Sequence, residues 1–153
     1  MAGNWERLLA LDDELIRLFN LFRRIEFTLR RTRARYGLKD NAVLKDRHKG
    51  ERCFIVGNGP SINSQDLTLL KDETTFFCNF FFKHPRIREI RPSYYAVADG
   101  KLATGEWDIS ILEEIRESCP DVTLFLSATF QDNPRFAPYL NTESVFWLYV
   151  DQL

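Results

Sequence analysis

An apolar run that stops at two glycines constrains this chain more than any other feature. Arg52-Cys53-Phe54-Ile55-Val56 leads straight into Gly57-Asn58-Gly59-Pro60-Ser61. A short apolar run bounded by a turn signal reads as a buried parallel strand, here over 52–57, with a helix starting just after it. Such a turn gathers backbone N–H groups and the positive end of a helix at one point, which suits a phosphate. Gly57 and Gly59 permit positive φ and close approach of a ligand. Pro60 gives up an N–H that a helix start leaves unused. Ser61 is placed to cap the helix or to donate to a phosphate oxygen. Asn58 supplies an amide that both donates and accepts. The same residues also suit a turn whose glycines serve geometry alone, and the motif by itself does not separate the two readings.

From Arg52 onward the chain alternates strands with helices or turns. Strands are expected over Thr74–Asn79, Tyr94–Ala98, Val122–Ser127 and Val145–Val150. A short helix or turn is expected over 61–70, a helix over 106–118, and a polar, proline-containing segment over 131–140. This order predicts an α/β fold with a mostly parallel sheet, in which ligands sit beyond the carboxyl ends of the strands. Three polar residues fall on those ends: Asn58, Asn79 and Asp99. Asn79 lies between aromatic runs and is either a hydrogen-bonding corner or a contact for a phosphate or ribose. Asp99 precedes Gly100 and is either a turn residue, a partner for a sugar hydroxyl, or a general base. The phenylalanines of 76–82 read as core. His84 sits in a His-Pro sequence with Arg86 and Arg88 close by, which reads as a surface loop. Lys83, Arg86 and Arg88 read as a solvated basic face.

The N-terminal part is of another kind. Leu8, Leu11, Leu15, Leu18, Phe22, Ile25 and Leu29 recur at alternating steps of three and four, so residues 5–36 read as one long helix ended by Gly37. Residues 1–50 carry 12 Lys/Arg against 7 Asp/Glu, whereas residues 51–153 carry 9 against 15. The expected organisation is an amphipathic helical segment over 1–37, a polar linker over 38–51 and an α/β domain over 52–153. The helix could pack on a domain, self-associate through Leu8–Leu29, or lie on an anionic membrane surface. The acidic remainder argues against a nucleic-acid partner. Cys53, Cys78 and Cys119 show no metal-ligand spacing, His48 and His84 add none, and reduced thiols are expected. No signal peptide is read at the start. These features together predict a cytoplasmic protein, with contact at the inner face of the membrane left open.

Phe54-Ile55-Val56-Gly57-Asn58-Gly59-Pro60-Ser61, Asp66-Leu67, Leu69-Leu70, Phe77-Cys78-Asn79-Phe80 and Tyr94-Tyr95-Ala96-Val97-Ala98-Asp99 resemble the N-terminal half of bacterial Cst-type sialyltransferases. They are equally similar to the MptE-like family, named for a 6-hydroxymethylpterin pyrophosphokinase and also found in surface-polysaccharide glycosyltransferases. The resemblance covers about residues 52–100. It implies a Rossmann-like domain that binds a nucleotide-sugar donor such as a CMP-sugar, with no metal and no further cofactor, and a glycan or glycolipid acceptor. It carries nucleotide contacts onto Asn58, Gly59, Ser61 and Asn79, within a turn that includes Gly57 and Pro60. Asp99 stands where the sialyltransferases have Asn, so it would face the sugar and repel a donor carboxylate. The family's catalytic histidine, tyrosines and Ser-Gly-x-Asp strand end fall in its second half. The chain is therefore expected to be an N-terminal portion of a longer protein or a truncated product, lacking its catalytic base and with little turnover alone. The implied function is glycosyl transfer in bacterial surface-glycan synthesis. The alternatives are a pterin pyrophosphokinase-like enzyme requiring magnesium and a non-catalytic nucleotide-binding or oligomerising module.

Overall fold

The computed structural model describes residues 14–26, 28–29, 38 and 40–150. The chain divides into two compact units, Met1–Tyr36 with Leu153, and Gly37–Gln152. In the first unit, residues 14–26 and 28–29 are helical (α1). Thr28 turns its hydroxyl back onto the carbonyl of Arg24 at 2.8 Å, a bond that a helical Thr makes with its own preceding turn. The rest of the helix expected over 5–36 lies outside the described residues. Among the described residues no helix is long and apolar enough to cross a membrane.

The second unit is built on five parallel strands: β1 Cys53–Val56, β2 Thr74–Cys78, β3 Tyr94–Val97, β4 Thr123–Ser127 and β5 Val145–Leu148. They lie side by side in chain order. This is an α/β fold with an all-parallel sheet. Among the described strands the order never reverses, so the sheet lacks the switch point that opens a crevice in a doubly wound fold. Right-handed crossovers between sequential parallel strands fall on one face. Burial agrees: Phe77, Tyr95, Val97, Leu124 and Leu126 point to that face and are inaccessible or nearly so. Against them pack α2 (Ile87–Ile90), α3 (Gly100–Thr104), α4 (Ile111–Ser118) and a series of 3-10 turns.

The opposite face is apolar too. Register places Phe76 beside Tyr94, Ala96 beside Phe125, and Phe125 beside Phe146. Tyr94, Phe125 and Phe146 form a buried aromatic row, with ring centroids 5.3 Å apart between Phe76 and Phe125 and 5.8 Å between Phe125 and Phe146. Leu44 closes on this row from a 3-10 turn at Asp40–Leu44. The stretch expected as a linker over 38–51 is therefore a strap fastened to the sheet. Asn41 donates from Nδ2 to the Trp147 carbonyl at 2.8 Å. His48 joins the Tyr94 hydroxyl through Nε2 and the Glu51 carboxylate through Nδ1, the latter at 2.7 Å. The His48 bond, then the Thr74 hydroxyl, holds the Glu51 carboxyl below its usual range. The polar residues that suggested a linker are the strap's fasteners.

The helix expected over 106–118 is shorter. Gly105, at φ 89°, ends α3, and the Trp107 N–H returns to the Lys101 carbonyl at 3.1 Å. Asp108 then accepts from the Ser110 N–H at 2.9 Å, and α4 begins at Ile111. Two local bonds engage the residues that would have extended the helix.

Candidate functional site at the strand ends

The turn after β1 differs from its sequence reading in two respects. It runs into a single 3-10 turn, Pro60–Ser64, with Gly59 as its cap and Pro60 in the first turn. No α-helix starts there, so the dipole argument for a phosphate falls away. Neither glycine uses positive φ: Gly59 is extended at φ −63°, ψ 151°, and the positive-φ glycines of the described chain are Gly50 and Gly105. A Cβ at Gly57 would meet nothing within 4 Å, and one at Gly59 only the Ser61 hydroxyl at 3.8 Å. Nothing in the polypeptide requires these two residues to be glycine. Ser61 is not the cap. It offers its carbonyl to the Ser64 hydroxyl at 2.7 Å.

Asn58 bridges two strand ends. In the orientation that satisfies both amide groups, its nitrogen donates to the Cys78 carbonyl at 3.0 Å and its oxygen accepts from the Phe80 N–H at 3.3 Å. One amide thus brackets Asn79 from both sides. Asn58→Ala is expected to lower stability by about 1–2 kcal/mol, the worth of two exposed hydrogen bonds. A shift of the urea midpoint at unchanged slope would show it, and an unmoved midpoint would mean that the bridge contributes nothing.

Asn79 is the sharpest corner of the site. Its backbone is left-handed at φ 52°, a conformation Asn tolerates better than most residues. The Tyr95 hydroxyl holds it, donating to the Asn79 carbonyl at 2.7 Å while accepting from the Phe82 N–H at 2.8 Å. Burial pushes the Tyr95 hydroxyl up, which keeps it a donor. With the backbone fixed, the Asn79 side chain has no hydrogen-bond partner among the described residues. It lines a cleft of about 580 Å³ with Cys78, Ala98, Asp99 and Gly100. Burial also pushes the Cys78 thiol up, so it presents a neutral wall.

Asp99 caps α3, one oxygen accepting from the Lys101 N–H at 2.9 Å. The far end of α3 is clamped from the 131–140 segment, which forms a 3-10 turn at Pro134–Tyr139. Asn133 donates to the Ala103 carbonyl at 3.1 Å and Arg135 to the Leu102 carbonyl at 3.2 Å. A segment that read only as polar and proline-containing thus sets where Asp99 stands.

The expected site residues do not share one cavity. Gly57, Gly59 and Ser61 line a groove of about 690 Å³ running beside Phe54, Ile55 and Leu69. Asn79 and Asp99 line the other cleft. Pro60 and Asn58 line neither, and Asn58 ties the two walls together. Sequence reasoning missed Ser127 as a site candidate. It is a fourth polar residue on a strand end, buried, with its hydroxyl 2.8 Å from that of Thr129. The signal that found Asn58, Asn79 and Asp99, a polar residue closing an apolar run, is present there as well.

The basic loop is engaged elsewhere. Arg86 pairs with Glu89 at 3.0 Å and with Asp66 at 3.2 Å. His84 stacks on Phe81 with ring centroids 5.1 Å apart. Phe81 and Phe82 are buried core, while Phe80 meets Trp107 edge-on at 4.6 Å. All three cysteines are free thiols.

Fold and site define an α/β protein with polar groups gathered at the carboxyl ends of a parallel sheet. Comparison with known protein families, curated proteins and solved structures finds no match to this chain.

Proposed function

We propose that this chain binds a nucleotide-activated sugar at the carboxyl ends of β1–β3. It would be the donor-binding part of a glycosyltransferase of the sialyltransferase-like or MptE-like kind, acting in bacterial surface-glycan synthesis. The observation that carries the reading is Asn79. A left-handed corner is fastened by a buried tyrosine, and the amide it presents is left without a partner beside a carboxylate. Such local cost is characteristic of binding sites. The bare backbone at Gly57 and Gly59 supports the same reading, because open space above two unneeded glycines admits a phosphate or a base. In this reading Gly57, Gly59 and Ser61 border the nucleotide, Asn58 positions the walls, and Asn79 and Asp99 take hydroxyls of ribose or sugar. Asp99 has one oxygen committed to α3 and a second to offer. Leaving-group departure would be helped by orientation of the bound donor.

The test is thermal shift of the chain with CMP, UDP, GDP and ATP, each with and without magnesium. A ligand that binds only the folded state raises its melting temperature. Stabilisation by CMP or UDP without magnesium, abolished by Asn79→Ala, is the expected result. Stabilisation by ATP only with magnesium would replace the proposal with the pyrophosphokinase-like reading. No response to any nucleotide would overturn both.

A further inference from the structure

Two further donors stand beside the Asn79 corner, and neither is used by the fold. The Lys83 ammonium closes the 3-10 turn Asn79–Lys83. It lies over the Phe80 ring at 5.2 Å and the Phe82 ring at 5.7 Å, and among the described residues no carboxylate pairs with it. Trp107 is half-buried, and its indole N–H has no hydrogen-bond partner among the described residues. The Phe80 ring joins the two, since Trp107 meets it edge-on at 4.6 Å. The backbone is fixed on both sides. The Asn58 oxygen accepts from the Phe80 N–H at 3.3 Å, and the Lys101 carbonyl accepts from the Trp107 N–H at 3.1 Å. Rings beneath an ammonium hold it in place without giving it a counter-charge.

Other cations near the strand ends are engaged or lie elsewhere. Arg86 pairs with Glu89 and Asp66. Arg135 donates to the Leu102 carbonyl. Arg88 lines a pocket of about 570 Å³ with Ser93 and Val122, at the amino ends of β3 and β4. Lys101 has no carboxylate paired to its ammonium, but its N–H is held by the Asp99 carboxylate, which would repel an anion there. A nucleotide brings a phosphate charge beside that same carboxylate. The site made by Asn58, Asn79, Asp99 and the glycine turn has no cation to balance it, and like charges at close range reject a ligand.

We infer that Lys83 and the Trp107 indole N–H take the phosphate of the nucleotide, with the Phe80 ring as their support. The inference rests on the nucleotide reading of the site. It adds the positive charge which that reading requires and the strand-end residues do not supply.

The test titrates the full chain with CMP and UDP, and with cytidine and uridine, which lack the phosphate. Lys83→Met keeps an apolar chain over both rings. It should weaken nucleotide binding about tenfold or more, the worth of a charged hydrogen bond, and leave nucleoside binding unchanged. Lys83→Arg should restore most of the loss. Trp107→Phe keeps a ring against Phe80 and should cost about threefold or more. Lys101→Met removes the same charge and should cost less than about twofold, because solvent and salt screen it. Both lysines are exposed, so the melting temperature without ligand should not move with either. Nucleotide affinity unchanged by Lys83→Met would overturn the inference and leave the nucleotide reading standing. Equal losses from Lys83→Met and Lys101→Met, or a matching loss of nucleoside binding, would overturn it as well. A native chain that binds neither nucleotide would overturn the nucleotide reading itself, and this subsite with it.

Discussion

Tyr95→Phe is expected to lower the stability of the Gly37–Gln152 unit by about 2–4 kcal/mol, because each buried polar group left without a partner costs about 1–3 kcal/mol. The substitution removes one oxygen and almost no volume, so packing is unchanged. It strands the Asn79 carbonyl and the Phe82 N–H together, since the single hydroxyl serves both. Tyr95 is fully buried and its bond to the Phe82 N–H is buried, so water is not at hand to replace it there, while the Asn79 carbonyl is partly buried. Urea unfolding measures the loss. Tyr94→Phe is the control, because among the described residues the Tyr94 hydroxyl bonds to the partly exposed His48 alone, and its removal should cost less. An equal or smaller loss at Tyr95 would show that the corner at Asn79 is held by something else.

The same hydroxyl predicts a pH dependence. An unfolded tyrosine ionises near its ordinary value of about 10, and burial pushes the folded Tyr95 above that. Below the ordinary value both states keep the proton, and the contribution is complete. As pH rises past it, the unfolded state loses the proton first. Stability then falls with pH until the folded phenol ionises as well. Tyr95→Phe should therefore flatten the alkaline limb of the stability curve relative to the native chain. An unaltered limb would mean that Tyr95 does not carry this proton.

Gly59→Ala is expected to leave the fold intact and to weaken nucleotide binding at least about tenfold, some 1.4 kcal/mol. Its φ of −63° suits alanine, and the space above it is open. Replacing Gly where the backbone is compatible stabilises by about 0.4–1 kcal/mol, through the unfolded chain. The methyl group would instead occupy the room a ligand needs. The two readouts, melting temperature without ligand and nucleotide titration, should move in opposite directions. Unchanged affinity would show that the turn after β1 is a connector only. Destabilisation would show a packing demand at this glycine.

Much of this was legible in the chain. All five strands stand within about two residues of their expected positions. The runs Phe76-Phe77-Cys78 and Leu124-Phe125-Leu126 are dry on at least one face, whereas β1, expected as a buried strand, lies at the sheet edge with no buried residue and Ile55 85% exposed. Residues closing those runs must sit at the strand ends, so Asn58, Asn79 and Asp99 could be found from spacing alone. Their roles could not. Asn58 bonds to Cys78 and Phe80, and nothing local in Gly-Asn-Gly-Pro-Ser reports where the end of β2 will lie. The left-handed φ at Asn79 depends on a hydroxyl 16 residues later. The strap was hidden for the same reason, since Asn41 and His48 read as polar until their partners on β5 and β3 are in place. Sequence by itself determined the strands, the apolar heptads and the residues that close each strand, because periodicity and turn chemistry are local. The tertiary structure alone decided the sequential strand order, the two separate cavities and the fixed corner at Asn79, because each is made by groups far apart in the chain that meet only when the sheet has formed.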